Sequence, residues 1–226
     1  MQAALKYSPK TLDDVIHSSS AVEARITAIS NGTLPCNVLL HGDNGTGKST
    51  VARLIIEALG GSRENTEDKH FDELLKMKDL KAYLDNTASL YRNAEPSKYF
   101  FLWEEFDNAR GDMHKLWTQM DRHSDVFSVL ITTNNPMNVH KSIRDRCCVI
   151  HMPPLTANNV LPRVQEILKA EGLILPANQT SAYLKNREKR GSLRGYMELV
   201  DELLALTAAG LPLPSWSNPA KLRAVS

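Results

Sequence analysis

Eight consecutive residues, Gly42-Asp43-Asn44-Gly45-Thr46-Gly47-Lys48-Ser49, satisfy the pattern G-x-x-x-x-G-K-[ST]. Glycines at these positions let successive backbone N–H groups converge on phosphate oxygens, and a helix starting there points its positive end at them. Lys48 has the length to reach the terminal phosphates, and the Ser49 hydroxyl suits a Mg²⁺ ligand. Thr50 completes the first helical turn. An incidental lysine in a glycine-rich turn is the competing reading, and the correct fixed positions weigh against it. Hydrolysis of a nucleoside triphosphate also needs carboxylates at the end of a neighbouring strand. Glu104-Glu105 directly follow the apolar run Tyr99-Phe100-Phe101-Leu102-Trp103. Glu104 is placed to hold the Mg²⁺ shell and Glu105 to orient the attacking water.

These residues need elements to carry them. Cys36 to His41 reads as a buried strand leading into the glycine turn, and Val51 to Leu59 continues as a helix stopped by Gly60-Gly61. Ala21 to Asn31 precedes them as a short helix. Tyr99 to Trp103, Val126 to Thr133 and Cys147 to Met152 supply three further strands. One longer helix is expected from Phe71 to Leu84, and another carries Ala109, Met113, Leu116, Trp117 and Met120 on one face. Gly60 to Phe71 shows no strand signal. Alternating strands and helices predict a parallel α/β sheet covered on both faces. After Pro153-Pro154 only helices are expected, at Thr156 to Ala170, Ser181 to Lys189 and Ser192 to Ala209. The division is therefore a nucleotide-binding domain at 1–153, a small all-α lid at 154–209 and a proline-containing tail at 210–226.

The 226 residues carry 27 Lys+Arg against 26 Asp+Glu, a formal charge of +1, which excludes a whole-chain basic field for nucleic acid but not a local one. No apolar stretch is long enough to span a bilayer, and the N-terminus lacks the apolar core of a signal peptide. Cys36, Cys147 and Cys148 form neither a disulfide framework nor a zinc pattern, and read as small buried hydrophobes in a reducing cytoplasm.

Four segments, taken together, resemble the AAA+ ATPases, and among them the sliding-clamp-loader subunits of the replication factor C and bacteriophage type. KYSPKTLDDVI resembles the K-Y-R-P-x-T-[LI]-D-[DE] segment, LLHGDNGTGKSTVAR the phosphate loop, FFLWEEFDNA the D-E-x-D strand end, and ITTNNPMNVHKSIRDRCCVI the sensor strand followed by S-R-C. They run in the right order from Lys6 to Met152. The resemblance implies an AAA+ sheet with a helical lid, ATP and Mg²⁺ as ligands, and Tyr7, Pro9 and Ile16 in a segment beside the adenine. It further implies Asn134 as the sensor that holds water near the γ-phosphate, and Arg146 as an arginine finger acting on a neighbouring subunit, with Arg144 a nearby competitor. Arg194, in Gly191-Ser192-Leu193-Arg194, corresponds to the second-sensor arginine of the lid. Arg110 and Lys115 are the best local candidates for contact with DNA.

The sequence departs from that pattern at Ser8, Glu104 and Asp145, where the family has arginine, aspartate and serine. It also ends where the family's collar domain would begin, so a collar-less relative is expected. The resulting expectation is an ATP-hydrolysing homo-oligomer (ring, spiral or filament) acting on DNA or a DNA-associated client and on no membrane. The alternative is a nucleotide-gated DNA-binding adaptor of the transposition type, which forms filaments and hydrolyses slowly; a third possibility is an inactive relative that traps ADP.

Overall fold

The computed structural model describes residues 2–95, 98–106, 114–188 and 191–214, apart from the side chains of Gln2, Leu75, His114 and Lys115. Two compact units emerge. One comprises Pro9–Val15 and Ser19–Pro153; the other comprises residues up to Ser8, Ile16–Ser18 and the chain from Pro154 onward.

The first unit is built on a five-stranded parallel sheet. Its strands are β1 (Asn37–His41), β2 (Thr66–His70), β3 (Tyr99–Glu104), β4 (Phe127–Thr133) and β5 (Cys147–His151), in the order β2-β3-β4-β1-β5. Side chains alternate between two apolar layers. Val38, Leu40, Phe100, Leu102, Leu130 and Ile150 pack with Ile26 and Ile29 of α2 (Ser20–Ser30) and Val51, Ala52 and Ile55 of α3 (Lys48–Ala58). Leu39, Phe101, Trp103, Val129 and Ile131 pack on the opposite face. Their partners come from α4 (Phe71–Leu75), α5 (Leu80–Tyr91), α6 (His114–Arg122) and α7 (Lys141–Arg144). Burial on both faces explains why β1, β3 and β4 read as continuous apolar runs. The expected covered parallel sheet is the one observed.

Three local expectations are corrected. The sheet has five strands, because Thr66–His70 forms β2 beside β3. Its sequence, TEDKH, carries no apolar period, since it is an edge strand satisfied by polar contacts. Glu67 accepts from the Tyr83 hydroxyl and pairs with Lys69, whose ammonium lies 5.0 Å from the Tyr83 ring centroid. A charged edge also resists pairing with another chain. The helix expected from Phe71 to Leu84 is two helices, with Asp79 accepting from Ala82 N–H (2.9 Å) as the N-cap of α5. The cysteines are only half-buried; burial pushes the Cys36 thiol up to about 11 and Cys147 up to about 12.

The second unit is helical, with α1 (Gln2–Lys6), α8 (Ala157–Ala170), α9 (Ala177–Arg187) and α10 (Leu193–Ala208). Val160, Val164, Ile167, Tyr183, Leu184, Tyr196, Val200 and Leu203 form its core, and the Tyr196 hydroxyl donates to the Leu155 carbonyl (2.9 Å). No described helix is long and apolar enough to cross a membrane. Arg110, part of the helix face expected from Ala109 and most of the tail lie outside the described residues, as does the Lys115 side chain.

Candidate functional site

At the carboxyl end of β1 the chain turns through Gly42, Gly45 and Gly47, at φ +150°, +79° and +88°, and Gly47 caps α3. These are backbone positions that side chains disfavour. Gly42 is further constrained, since a Cβ there would lie 2.1 Å from the Met152 carbonyl oxygen. Gly42→Ala is therefore expected to destabilise the fold by on the order of 1–3 kcal/mol, read as a lowered Tm.

Inside this turn Lys48 is buried. Its Nζ donates to the carbonyl oxygens of Gly42 (2.7 Å) and Asp43 (2.9 Å) and to Oδ1 of Asn134 (2.9 Å). The Thr46 hydroxyl donates to the Asp43 carbonyl and tightens the same loop. Asn44 is exposed, and Gly45, Ser49 and Thr50 are partly so. α3 begins at Lys48, so its first turn presents the helix N-terminus to the loop. A buried ammonium among carbonyls, at a helix N-terminus in a glycine cradle, fits a polyphosphate.

Because β3, β4 and β1 are adjacent and parallel, their carboxyl ends gather residues from distant parts of the sequence. β4 delivers Asn134 to Lys48. β3 delivers Glu104, which is buried and accepts from Arg53 Nη2 (2.8 Å). Glu105 follows at φ +53°, with its N–H on the Thr132 hydroxyl (3.3 Å) and its carboxylate 3.8 Å from His70 Nδ1. A glutamate in the left-handed region is an uncommon conformation, of the kind concentrated at functional sites.

Arg146 lies elsewhere. It precedes Cys147, which is in register with Asn37 at the start of β1, whereas the phosphate loop follows His41, in register with His151. Four strand steps separate the two ends, about 13 Å along parallel strands. The guanidinium of Arg146 is held as a fork on Asp121 (2.6 and 2.5 Å) and donates to the Ser142 carbonyl (2.7 Å). That pairing holds the Asp121 carboxyl below its usual range. Arg144 instead donates to Met137 Sδ (3.0 Å). Trp117 of α6 stacks on His140 beside α7, with centroids 4.7 Å apart.

The remaining candidates divide between the units. Pro9 belongs to the sheet unit. Tyr7 and Ile16 pack on the helical core, and the Tyr7 hydroxyl donates to Glu171 (2.6 Å). Arg194 is exposed in the first turn of α10, which Ser192 caps through Gly195 N–H. Arg53, Asp68, His70 and Asp121, which the motifs do not include, contact one another or the candidate residues Glu104, Glu105 and Arg146. Arg53 alone had a signal, four residues after Ser49 on one helix face.

The sequence profile of the ATPase family associated with various cellular activities (AAA) matches residues 38–155, more than half of the chain. The replication factor C small subunit of Methanothermobacter thermautotrophicus is 23% identical over 204 residues, spanning 89% of this chain and 62% of that protein. DNA polymerase III subunit tau of Escherichia coli is 25% identical over 225 residues, covering 89% of this chain and 34% of the relative. The chain spans 53%, 62% and 52% of the length of the first curated relatives it matches. Among solved structures, the Thermotoga maritima RuvB Holliday junction branch migration motor superposes with a TM-score of 0.67 at 18% identity, covering 90% of this chain and 67% of that one. That last likeness speaks for the fold.

Proposed function

Since the chain belongs to the AAA family of ATPases, we propose that it binds and hydrolyses ATP with Mg²⁺ at the Gly42–Thr50 loop. We infer that it does so as a clamp-loader-like oligomer acting on DNA or a DNA-bound protein. The observation that carries this reading is the buried Lys48 ammonium, shared among the loop carbonyls and Asn134. Bound Mg²⁺ would supply positive charge that offsets the negative charge of the phosphates. Ser49 and Glu104 are the residues that would hold it. Lys48 and the loop N–H groups bind the phosphates, Asn134 and Glu105 orient water, and Glu105 accepts its proton. Arg146 serves a neighbouring subunit's site. Tyr7, Pro9, Ile16 and Arg194 are proposed to take part in nucleotide recognition, and the division at 153/154 separates nucleotide-binding domain from lid, with the tail from 210.

Lys48→Ala tests the reading. Hydrogen bonds to charged groups contribute about 1.5–3 kcal/mol each, so affinity for a fluorescent ATP analogue should fall by roughly ten- to a hundredfold or more. Unchanged affinity would refute the site. Glu104, one methylene longer than the usual aspartate, favours the slow, filament-forming adaptor. Light scattering with non-hydrolysable nucleotide, with and without DNA, separates the two readings: a closed small assembly is expected, and an open filament would favour the adaptor.

A further inference from the structure

We propose that Arg53 is a positioning residue for the metal carboxylate: braced on Asp68 of β2, its guanidinium holds Glu104 in the orientation that receives Mg²⁺. This rests on the reading of Ser49 and Glu104 given above. Arg53 stands one helical turn after Ser49, so α3 presents both on one face. Leu102 packs on that α3-covered layer, and Glu104, two residues on, follows it to the same side of β3. Asp68 is opposite Leu102 in the β2–β3 register. Arg53 Nε donates to Asp68 Oδ2 (2.9 Å), and its Nη2 lies 2.8 Å from both Asp68 Oδ2 and Glu104 Oε2.

The arrangement answers a specific difficulty of this sequence. Glutamate has one more rotatable bond than the aspartate usual at this position, so an unrestrained carboxylate would lose more entropy on meeting a metal. The Arg53 fork fixes one oxygen, Oε2, and leaves Oε1 for the metal or its water shell. A cation beside a metal carboxylate also competes with the metal. Asp68 offsets that, and the three groups together carry one net negative charge. The rigid planar fork matters, since a lysine ammonium cannot span two carboxylates in the same way. The Arg53 side chain is 47% exposed and Asp68 39%, so their value lies in geometry rather than in a large stabilisation.

The test is Mn²⁺ binding to the full chain at saturating ATPγS, followed by electron paramagnetic resonance, with metal-free nucleotide affinity measured alongside. Arg53→Gln is expected to raise the half-saturating Mn²⁺ concentration about tenfold, the usual scale for losing a residue that orients a metal ligand, while metal-free affinity stays unchanged. Arg53→Lys should recover only part of that loss, and Asp68→Asn should shift it in the same direction by less. If Arg53→Gln does not fold, the Asp68→Asn shift decides. An unchanged half-saturation would make Arg53 merely structural, and a lower one would make it a competitor of the metal; either result overturns the proposal. A wild-type chain that takes up nucleotide and no Mn²⁺ would overturn both this assignment and the metal site beneath it.

Discussion

Arg146→Ala should leave ATP binding intact and lower turnover of the assembled protein by about 10³-fold or more, the scale of arginine-finger loss in GTPases. The strand register supplies the reason. Arg146 is at the amino end of β5, and the phosphate loop is at the carboxyl end of the parallel neighbour β1, so the arginine is remote from its own chain's loop. Its fork on Asp121 and its bond to Ser142 hold it in a defined place on the surface. A mixing experiment makes the prediction sharp. Arg146→Ala supplies an intact loop, Lys48→Ala supplies an intact arginine, and an equimolar mixture should regain activity that neither has alone. Full activity in Arg146→Ala, or no recovery on mixing, would remove the finger role.

Glu105→Gln has the second large effect. The substitution keeps size and backbone conformation but removes the proton acceptor, so turnover should fall by about 10²–10⁴ while nucleotide binding persists. The +53° φ of Glu105 separates its backbone from the regular strand that ends at Glu104. Adjacent glutamates thereby acquire different surroundings: Glu104 is buried against Arg53, whereas Glu105 is exposed beside His70. A Glu105→Gln protein that still releases phosphate at the wild-type rate would transfer water activation to another group.

Much of this was legible in the residues themselves. A glycine pattern dictates backbone conformation directly, so Gly42 to Ser49 announced both a turn and a ligand class. Strands buried on two faces must be apolar throughout, so β1, β3 and β4 stood out, and the edge strand β5 did so through its apolar run Cys147 to Ile150. β2 did not, because an edge strand can satisfy polar side chains across its own faces, as Glu67 and Lys69 do with Tyr83. The break between α4 and α5 depended on a single cap, Asp79, inside an otherwise helical apolar period. The contacts of Arg53 with Asp68 and of Arg146 with Asp121 join residues 15 and 25 positions apart. Sequence spacing does not reveal such pairs, since strand order and register create them.

The most direct measurement is steady-state phosphate release by the purified wild-type chain, across a protein concentration series, with ATP and Mg²⁺. Turnover is expected to require Mg²⁺, to rise with assembly and to vanish in Lys48→Ala. No phosphate release at any concentration, by a chain that retains bound nucleotide, would contradict the proposed hydrolysis.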